Sequence, residues 1–311
     1  MRIAFLSRYQ NTINRGAEVF VEELSSRLKK NHEVDIFNGS DADSLAKVLN
    51  GNYDIVIPIN GGIQSLKASI GRLFKRYKVI ISGQAGIGRG EIWNMVLAQP
   101  DVYVALTDYM AKWAKKWAWR TKVVKIPNGV DLSKFKPEGE KLDLNLERPI
   151  ILSVGALTWY KHHERIIEAM CYLDKGSLLI VGEGEQKGEL EERGNKMLGE
   201  RFKIQSFNHL DMPKVYRSAD LFTLPSWSRE AFGIAYLEAM ASGLGVVAPD
   251  DQTRREIIKD AGIFVDSTDP INYAKIIEEA LTIDWTKKAK AQAEKFSWDE
   301  ITKDYEKIIK K

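Results

Sequence analysis

Short apolar runs recur along the whole chain, each followed by a stretch of helical periodicity, and this alternation restricts the fold more than any other feature. The candidate strands of the first half are Ile3–Leu6, Val34–Phe37, Ile55–Ile59, Val79–Ser82, Val102–Leu106 and Val123–Ile126. Those of the second half are Ile150–Val154, Leu178–Val181, Phe202–Ile204, Leu221–Leu224, Gly245–Ala248 and Ile263–Val265. Strands separated by helices cannot pair as hairpins, so the pattern predicts an α/β fold of parallel sheets covered by helices, built twice. The break falls near residues 131–148, where Lys134-Phe135-Lys136-Pro137-Glu138-Gly139-Glu140 is charged and carries a proline. A length of 311 residues suits two domains of ordinary size.

The stretch Pro225–Gly243, PSWSREAFGIAYLEAMASG, says most about chemistry. A short buried strand ends at Pro225, a loop follows, and from Gly233 the residues Ile234, Leu237, Met240 and Ala241 recur at helical spacing. Gly243 marks the helix end. Glu230 therefore lies in the loop before a helix, and Glu238, eight positions on, lies within it. The free N–H groups at Gly233, Ile234 and Ala235 favour a phosphate by about 0.3–1 kcal/mol from the helix dipole. Gly233 lets an anion approach the backbone closely. Two carboxylates beside such a site can accept hydrogen bonds from sugar hydroxyls, each worth about 1.5–3 kcal/mol. The plainer reading has Glu230 complementing the helix dipole and Glu238 on a solvated face.

In this stretch the chain resembles the retaining GT-B glycosyltransferases of family four, whose signature is two glutamates separated by seven residues. Other segments carry the same resemblance in the same order: Arg2–Leu6 with Arg15-Gly16-Ala17-Glu18, Ile126-Pro127-Asn128-Gly129-Val130-Asp131, Ser153-Val154-Gly155 with Lys161, Val181-Gly182-Glu183-Gly184, and Phe296-Ser297-Trp298. The resemblance implies two Rossmann-like domains facing across a cleft. Residues 1–140 would bind the acceptor and residues 141–295 the nucleotide sugar, with a C-terminal helix in 296–311 crossing back to the first domain. It implies a hexose transferred with retention from a UDP- or GDP-linked donor to a hydroxyl of a sugar or lipid-linked acceptor. Glu230 would orient the donor sugar, Glu238 would hold the ribose, and backbone near Leu210 would meet the base. Lys161 with the helix start at Gly233 and Ile234 would stabilise the departing diphosphate, with Glu230 and Lys161 as the catalytic pair. Gly16 would cover the diphosphate from the first domain. No metal and no cofactor is then required. The same resemblance implies a cytoplasmic enzyme of cell-surface polysaccharide or glycolipid synthesis, peripheral at the inner membrane face.

The chain departs from the family at two places. Ala156 stands where many members carry arginine after the phosphate-loop glycine, and Gln84 stands nearest the place of a first-domain histidine. Glutamine can hydrogen-bond a sugar but cannot shuttle a proton. Arg15 and Gln84 are therefore candidates on the acceptor side. These departures motivate one rival, a catalytically silent nucleotide-sugar-binding or scaffold subunit. A second rival on the same fold, a sugar-nucleotide epimerase, would need acid or base side chains near the sugar, and the first half offers no well-placed histidine.

Composition and the remaining motifs narrow the field. Hydrophobic residues make up 44% and charged residues 29%, a globular balance. No apolar run reaches the roughly 18 residues of a membrane span, and MRIAFLSRYQ reads as a strand rather than a signal peptide. The single cysteine, Cys171, suits a reducing compartment. The four histidines show no metal-ligand spacing with it. Asp41-Ala42-Asp43 has the form used by metal-dependent sugar transferases, but it precedes the helix Ser44–Leu49 and reads as a cap. The chain has neither a G-x-G-x-x-G nor a G-x-x-x-x-G-K-[ST] motif, which argues against a nicotinamide dehydrogenase and a P-loop NTPase. Residues 1–148 carry 23 Lys and Arg against 16 Asp and Glu, a net of +7, while residues 149–311 carry 23 against 27, a net of −4. The positive charge concentrates in two expected helices, Tyr109–Arg120 and Leu66–Lys78. Tryptophan beside lysine suits an anionic membrane surface; the alternative is an amphipathic helix packing its tryptophans inward. Nucleic acid is not expected, since no recognition motif accompanies the charge.

Overall fold

The computed structural model describes Met1–Thr12 and Gly16–Lys310; Arg15 lies outside the described residues. The chain divides into two compact units. Unit 1 comprises Met1–Gly129, Arg229–Phe232 and the C-terminal residues from Trp298, and unit 2 comprises Val130–Ser228 and Gly233–Ser297.

Unit 1 holds β1 (Arg2–Leu6), β2 (Glu33–Phe37), β3 (Ile55–Pro58), β4 (Lys78–Ser82), β5 (Val102–Ala105) and β6 (Lys122–Lys125). All pair in parallel, in the order β2-β1-β3-β4-β5-β6. Strands β3, β4 and β5 are buried almost throughout, which is why they read as unbroken apolar runs. The C-terminal helix Trp298–Lys310 belongs to this unit. Its Trp298, Ile301 and Tyr305 join Phe20, Val21 and Leu24 of the helix Gly16–Leu28 in one core. Phe20 lies 6.0 Å from Trp298 and 5.8 Å from Tyr305, ring centre to ring centre. Arg27 on the first helix pairs with Asp299 on the last at 3.1 Å.

Unit 2 holds β7 (Ile150–Val154), β8 (Ser177–Val181), β9 (Phe202–Gln205), β10 (Leu221–Thr223), β11 (Gly245–Pro249) and β12 (Gly262–Val265). They too are parallel, in the order β12-β11-β10-β7-β8-β9. This is the doubly wound order, and its reversal falls between β7 and β10. In open sheets of this kind a ligand binds beyond the carboxyl ends of the strands at that reversal.

Three local expectations are corrected. The helix expected over Tyr109–Arg120 runs only Asp108–Ala114, started by Thr107, whose hydroxyl accepts from the Met110 amide. Lys112 and Lys116 would be like charges one turn apart, and the chain must extend again for β6. Met110 and Ala114 are buried, but Tyr109, Trp117 and Trp119 are exposed, so no tryptophan stripe packs inward. The helix expected over Leu66–Lys78 is Gly62–Gly71. Tyr77 folds back over its end, donating to the Ala68 carbonyl at 2.6 Å. A Cβ on Gly71 would come within 2.0 Å of that tyrosine oxygen, so this chain reversal needs glycine. Asp41 and Asp43 do not cap the following helix. The cap of Leu45–Asn50 is Ser44, while Asp41 pairs with Lys47 and Asp43 with Arg8.

Candidate functional site

Two loops leave the reversal of the unit 2 sheet, and they are the two that carry the sequence motifs. The first follows β7 and runs from Gly155 to a short turn, Trp159–Lys161, before the helix His163–Met170. The second follows β10 and runs through Ser226 and Trp227 to Gly233, which opens the helix Ile234–Ala241. The Trp227 amide donates to the Tyr160 carbonyl at 2.9 Å, tying the loops together.

The first loop rests on close backbone contact. A Cβ on Gly182 would come within 1.9 Å of the Gly155 carbonyl oxygen, and one on Gly184 within 2.3 Å of that of Leu157. The glycines of Val181-Gly182-Glu183-Gly184 thus let the loop after β8 pack directly against the loop after β7. Lys161 is half-buried, its amide donating to the Thr158 carbonyl at 2.9 Å. Its Nζ lies 5.9 Å from the centre of the Tyr160 ring. Beneath the loop His163 is fully buried, with Nδ1 3.2 Å from the Ser153 hydroxyl. Burial first, and the Lys161 charge second, push the imidazole down to about 3, so it is neutral at pH 7.

The second loop is held by Arg254, whose side chain is 0% exposed. Its guanidinium donates to the Ser226 carbonyl at 2.8 Å, the Trp227 carbonyl at 3.0 Å and the Tyr236 hydroxyl at 3.0 Å, and it pairs with Asp251. Tyr236 donates onward to the Leu224 carbonyl at 2.6 Å. One buried cation therefore fixes the loop after β10 against the helices on either side of β11. Gly233 adopts φ +86°, a left-handed turn that a side chain would strain, and this turn aims the start of the helix.

Glu238 is half-buried on that helix. One of its oxygens accepts from the Tyr216 hydroxyl at 2.7 Å. Burial, reinforced by the Glu238 charge, raises the Tyr216 phenol well above its ordinary range, so it remains a donor. Leu210 is exposed on the short turn His209–Asp211. Lys161, Leu210, Gly233, Ile234 and Glu238 thus all belong to unit 2, and Lys161 and Gly233 leave neighbouring strands. Glu230 is half-buried in Arg229–Phe232, the segment that groups with unit 1. Gly16 begins the first helix of unit 1.

Gln84 follows β4 in unit 1, and both ends of its amide are engaged. Gln84 donates to Asn128 Oδ1, and Asn128 donates back to Gln84 Oε1, each at 2.9 Å. Gln84 also donates to the Ser82 hydroxyl at 2.9 Å. Nearby, Asn94 donates to Glu91 at 3.1 Å and accepts from the Gly62 amide at 2.9 Å. Burial pushes the Glu91 carboxyl up to about 7 against that hydrogen bond. Among the described residues no group of three or more His, Cys, Asp or Glu is placed to hold a metal ion. No described helix is long and apolar enough to cross a membrane.

Arg254, Tyr216, Tyr236 and His163 were not found from the sequence. The His162-His163 pair after Lys161 was visible, but nothing in its spacing separates a buried support from a surface residue.

Comparison with known proteins gives the family and the fold. The family profile described as glycosyl transferases group 1 matches residues 135–296, just over half of the chain. A glycosyltransferase of Methanocaldococcus jannaschii, itself uncharacterised, is 35% identical over 179 residues, covering 53% of this chain and 45% of that one. The phosphatidyl-myo-inositol mannosyltransferase of Mycolicibacterium smegmatis is 25% identical over 211 residues, covering 64% and 54%. The chain spans about half the length of these curated relatives. Among solved structures, Anabaena HepE in complex with UDP superposes with a TM-score of 0.82 at 17% identity, covering 100% of each chain. At that identity the likeness shows the fold, and the fold is GT-B. By the span of its profile match, the chain belongs to the glycosyl transferases group 1 family.

Proposed function

We propose that the protein is a retaining hexosyltransferase that takes a UDP- or GDP-linked sugar and transfers the hexose to a hydroxyl of a sugar or lipid-linked acceptor, without a metal or cofactor. The observation that carries this reading is the convergence of the Lys161 loop and the Gly233 helix start at the strand-order reversal of unit 2. A diphosphate at that place meets a lysine and free backbone N–H groups. Both stabilise the charge that grows on the leaving group. Glu238, steadied by Tyr216, accepts from the ribose hydroxyls, and Glu230 from the donor sugar. Leu210 lies beside the base. The leaving phosphate itself takes the acceptor proton, so no histidine is needed where Gln84 stands. Unit 2 is the nucleotide-sugar domain, Gly16 of unit 1 covers the diphosphate, and Arg15 and Gln84 of unit 1 serve the acceptor side.

Calorimetric titration of UDP, GDP and ADP, without metal and then with magnesium, tests the reading directly. Selective binding without metal is the expected result, and it names the donor class. No binding to any of the three by a folded sample would move the assignment to a silent scaffold, the reading that Ala156 favours. Within the site, Glu230→Gln should lower turnover with nucleotide affinity little changed, whereas Glu238→Ala should weaken nucleotide binding about tenfold, the worth of one charge-assisted hydrogen bond. Wild-type kinetics in both variants would remove these residues from the site.

The same proposal places the protein in the cytoplasm, peripheral at the inner membrane face, within cell-surface polysaccharide or glycolipid synthesis. The support lies past the end of the helix Gly62–Gly71. There Leu73 and Phe74 are 82% and 68% exposed, beside exposed Lys75 and Arg76. Apolar side chains flanked by basic ones suit an anionic interface, at about 1 kcal/mol for each basic residue near the surface. The protein should sediment with vesicles of phosphatidylcholine and phosphatidylglycerol and not with phosphatidylcholine alone, and Leu73→Ala with Phe74→Ala should reduce the bound fraction several-fold. Equal binding to both vesicle types, or to neither, would count against the membrane partner.

A further inference from the structure

Three aromatic rings gather where the two motif loops of unit 2 are tied together. Trp159 meets Trp227 at 5.2 Å and an interplanar angle of 79°, and meets Tyr160 at 5.7 Å and 88°. Tyr160 and Trp227 lie 5.4 Å apart at 35°. Edge-to-face contacts of this kind hold ring planes in fixed orientation. The hydrogen bond from the Trp227 amide to the Tyr160 carbonyl locks the backbone beneath them. Tyr160 and Trp227 are half-buried, yet Trp159 is 56% exposed. A tryptophan held rigidly and left open does not serve the core, where its burial would stabilise the fold.

We propose that Trp159 is a stacking platform for a pyranose ring of the acceptor, supplied by the nucleotide-sugar unit; the proposal rests on the transferase reading above. The chemistry favours a sugar. The apolar face of a pyranose, carrying axial C–H groups, matches one indole plane in size, and aromatic rings add attraction beyond the area they bury. A lipid chain would instead need a contiguous apolar patch, and Trp159 is followed within three residues by Lys161 and His162. The donor side is already supplied with charge and hydrogen-bond partners by Lys161, Glu238 and the Gly233 helix start. Trp159 is more than half exposed to solvent, the side from which an acceptor arrives.

The test uses full-length protein labelled with 5-fluorotryptophan, in which Trp159→Phe identifies the fluorine resonance of Trp159. Methyl β-glucopyranoside, methyl β-galactopyranoside and methyl α-mannopyranoside are each titrated to near their solubility, and UDP and GDP are titrated separately. A saturable shift of that resonance with at least one glycoside, and not with the nucleotides, is the expected result. With whichever glycoside serves as acceptor, Trp159→Ala should raise the acceptor KM about tenfold, leave the donor KM within twofold and leave nucleotide affinity unchanged. Trp159→Tyr should restore most of the loss. A resonance that ignores all three glycosides overturns the platform, whether or not the nucleotides bind. A shift with nucleotide alone, or a donor KM that rises with the acceptor KM, overturns it in favour of a donor contact. Failure of the transferase reading shows separately, as absent nucleotide binding.

Discussion

Replacing Arg254 with alanine should destabilise unit 2 by about 3–5 kcal/mol, the range for removing one partner of a buried ion pair. The side chain is 0% exposed, and its loss leaves several groups short of a donor. The Ser226 and Trp227 carbonyls lose theirs, and Asp251 loses its counter-ion. Each unsatisfied buried acceptor costs about 1–3 kcal/mol. Asp251 can partly recover by turning to solvent, since its side chain is 18% exposed, and it still caps the helix Gln252–Ile258 through the Arg254 amide at 3.0 Å. The Ser226 carbonyl is buried and has no such escape, so the loop itself must shift. A loss of this size is a large fraction of the 5–15 kcal/mol that ordinary domains possess. Urea unfolding should show the effect as a lower midpoint in the transition that carries the unit 2 tryptophans, because two units need not unfold together. Arg254→Lys should recover little, since a single ammonium cannot reproduce a planar donor that reaches several groups at once. An unchanged midpoint would mean the guanidinium is not what holds the loop. Nucleotide affinity should fall with stability, because the same loop leads to Gly233.

Arg254 also shows where sequence reading stops. The inner strands were legible because a parallel sheet is covered on both faces, and such strands become short, largely apolar runs such as Ile55–Pro58 and Ser177–Val181. The motif loops were legible because glycine and proline punctuate them at strand ends. Arg254 lies in Thr253-Arg254-Arg255-Glu256, which reads as a solvated helix face. The bonds that bury it go to main-chain carbonyls, and backbone acceptors leave no trace in residue identity. Tyr216 is hidden for a related reason: it stands 22 positions from Glu238 and meets it only once the helix Met212–Ser218 is packed. The tryptophans of residues 113–119 misled in the opposite direction. Their spacing fits a helix, but the helix stops at Ala114 and leaves Trp117 and Trp119 in solvent.

Lys161→Ala should lower kcat by about 10²–10³, the cost of removing one preorganised group from a charge that develops in the transition state. The expectation is large because Ala156 brings no second cation to the same loop. In the proposed site the lysine and the helix start at Gly233 then share the diphosphate charge. The fold should tolerate the change. Lys161 is half-buried, and the elements beneath it are held by other contacts: His163 on Ser153, the loop glycines on Gly155 and Leu157, and Trp227 on Tyr160. The urea midpoint should therefore stay close to wild type, which separates this variant from Arg254→Ala. The division between kcat and KM decides the role. A cation that only anchors the bound donor holds ground state and transition state alike, so its removal raises donor KM and spares kcat. A cation aimed at the departing phosphate lowers kcat with a smaller change in KM. Lys161→Arg should recover part of the rate, since charge is retained while its position moves. If Ala156→Arg introduced into Lys161→Ala restored turnover, the loop would be shown to need one cation facing the diphosphate, supplied from either position. If that double variant stayed as slow as Lys161→Ala, the requirement would be for this lysine at this place.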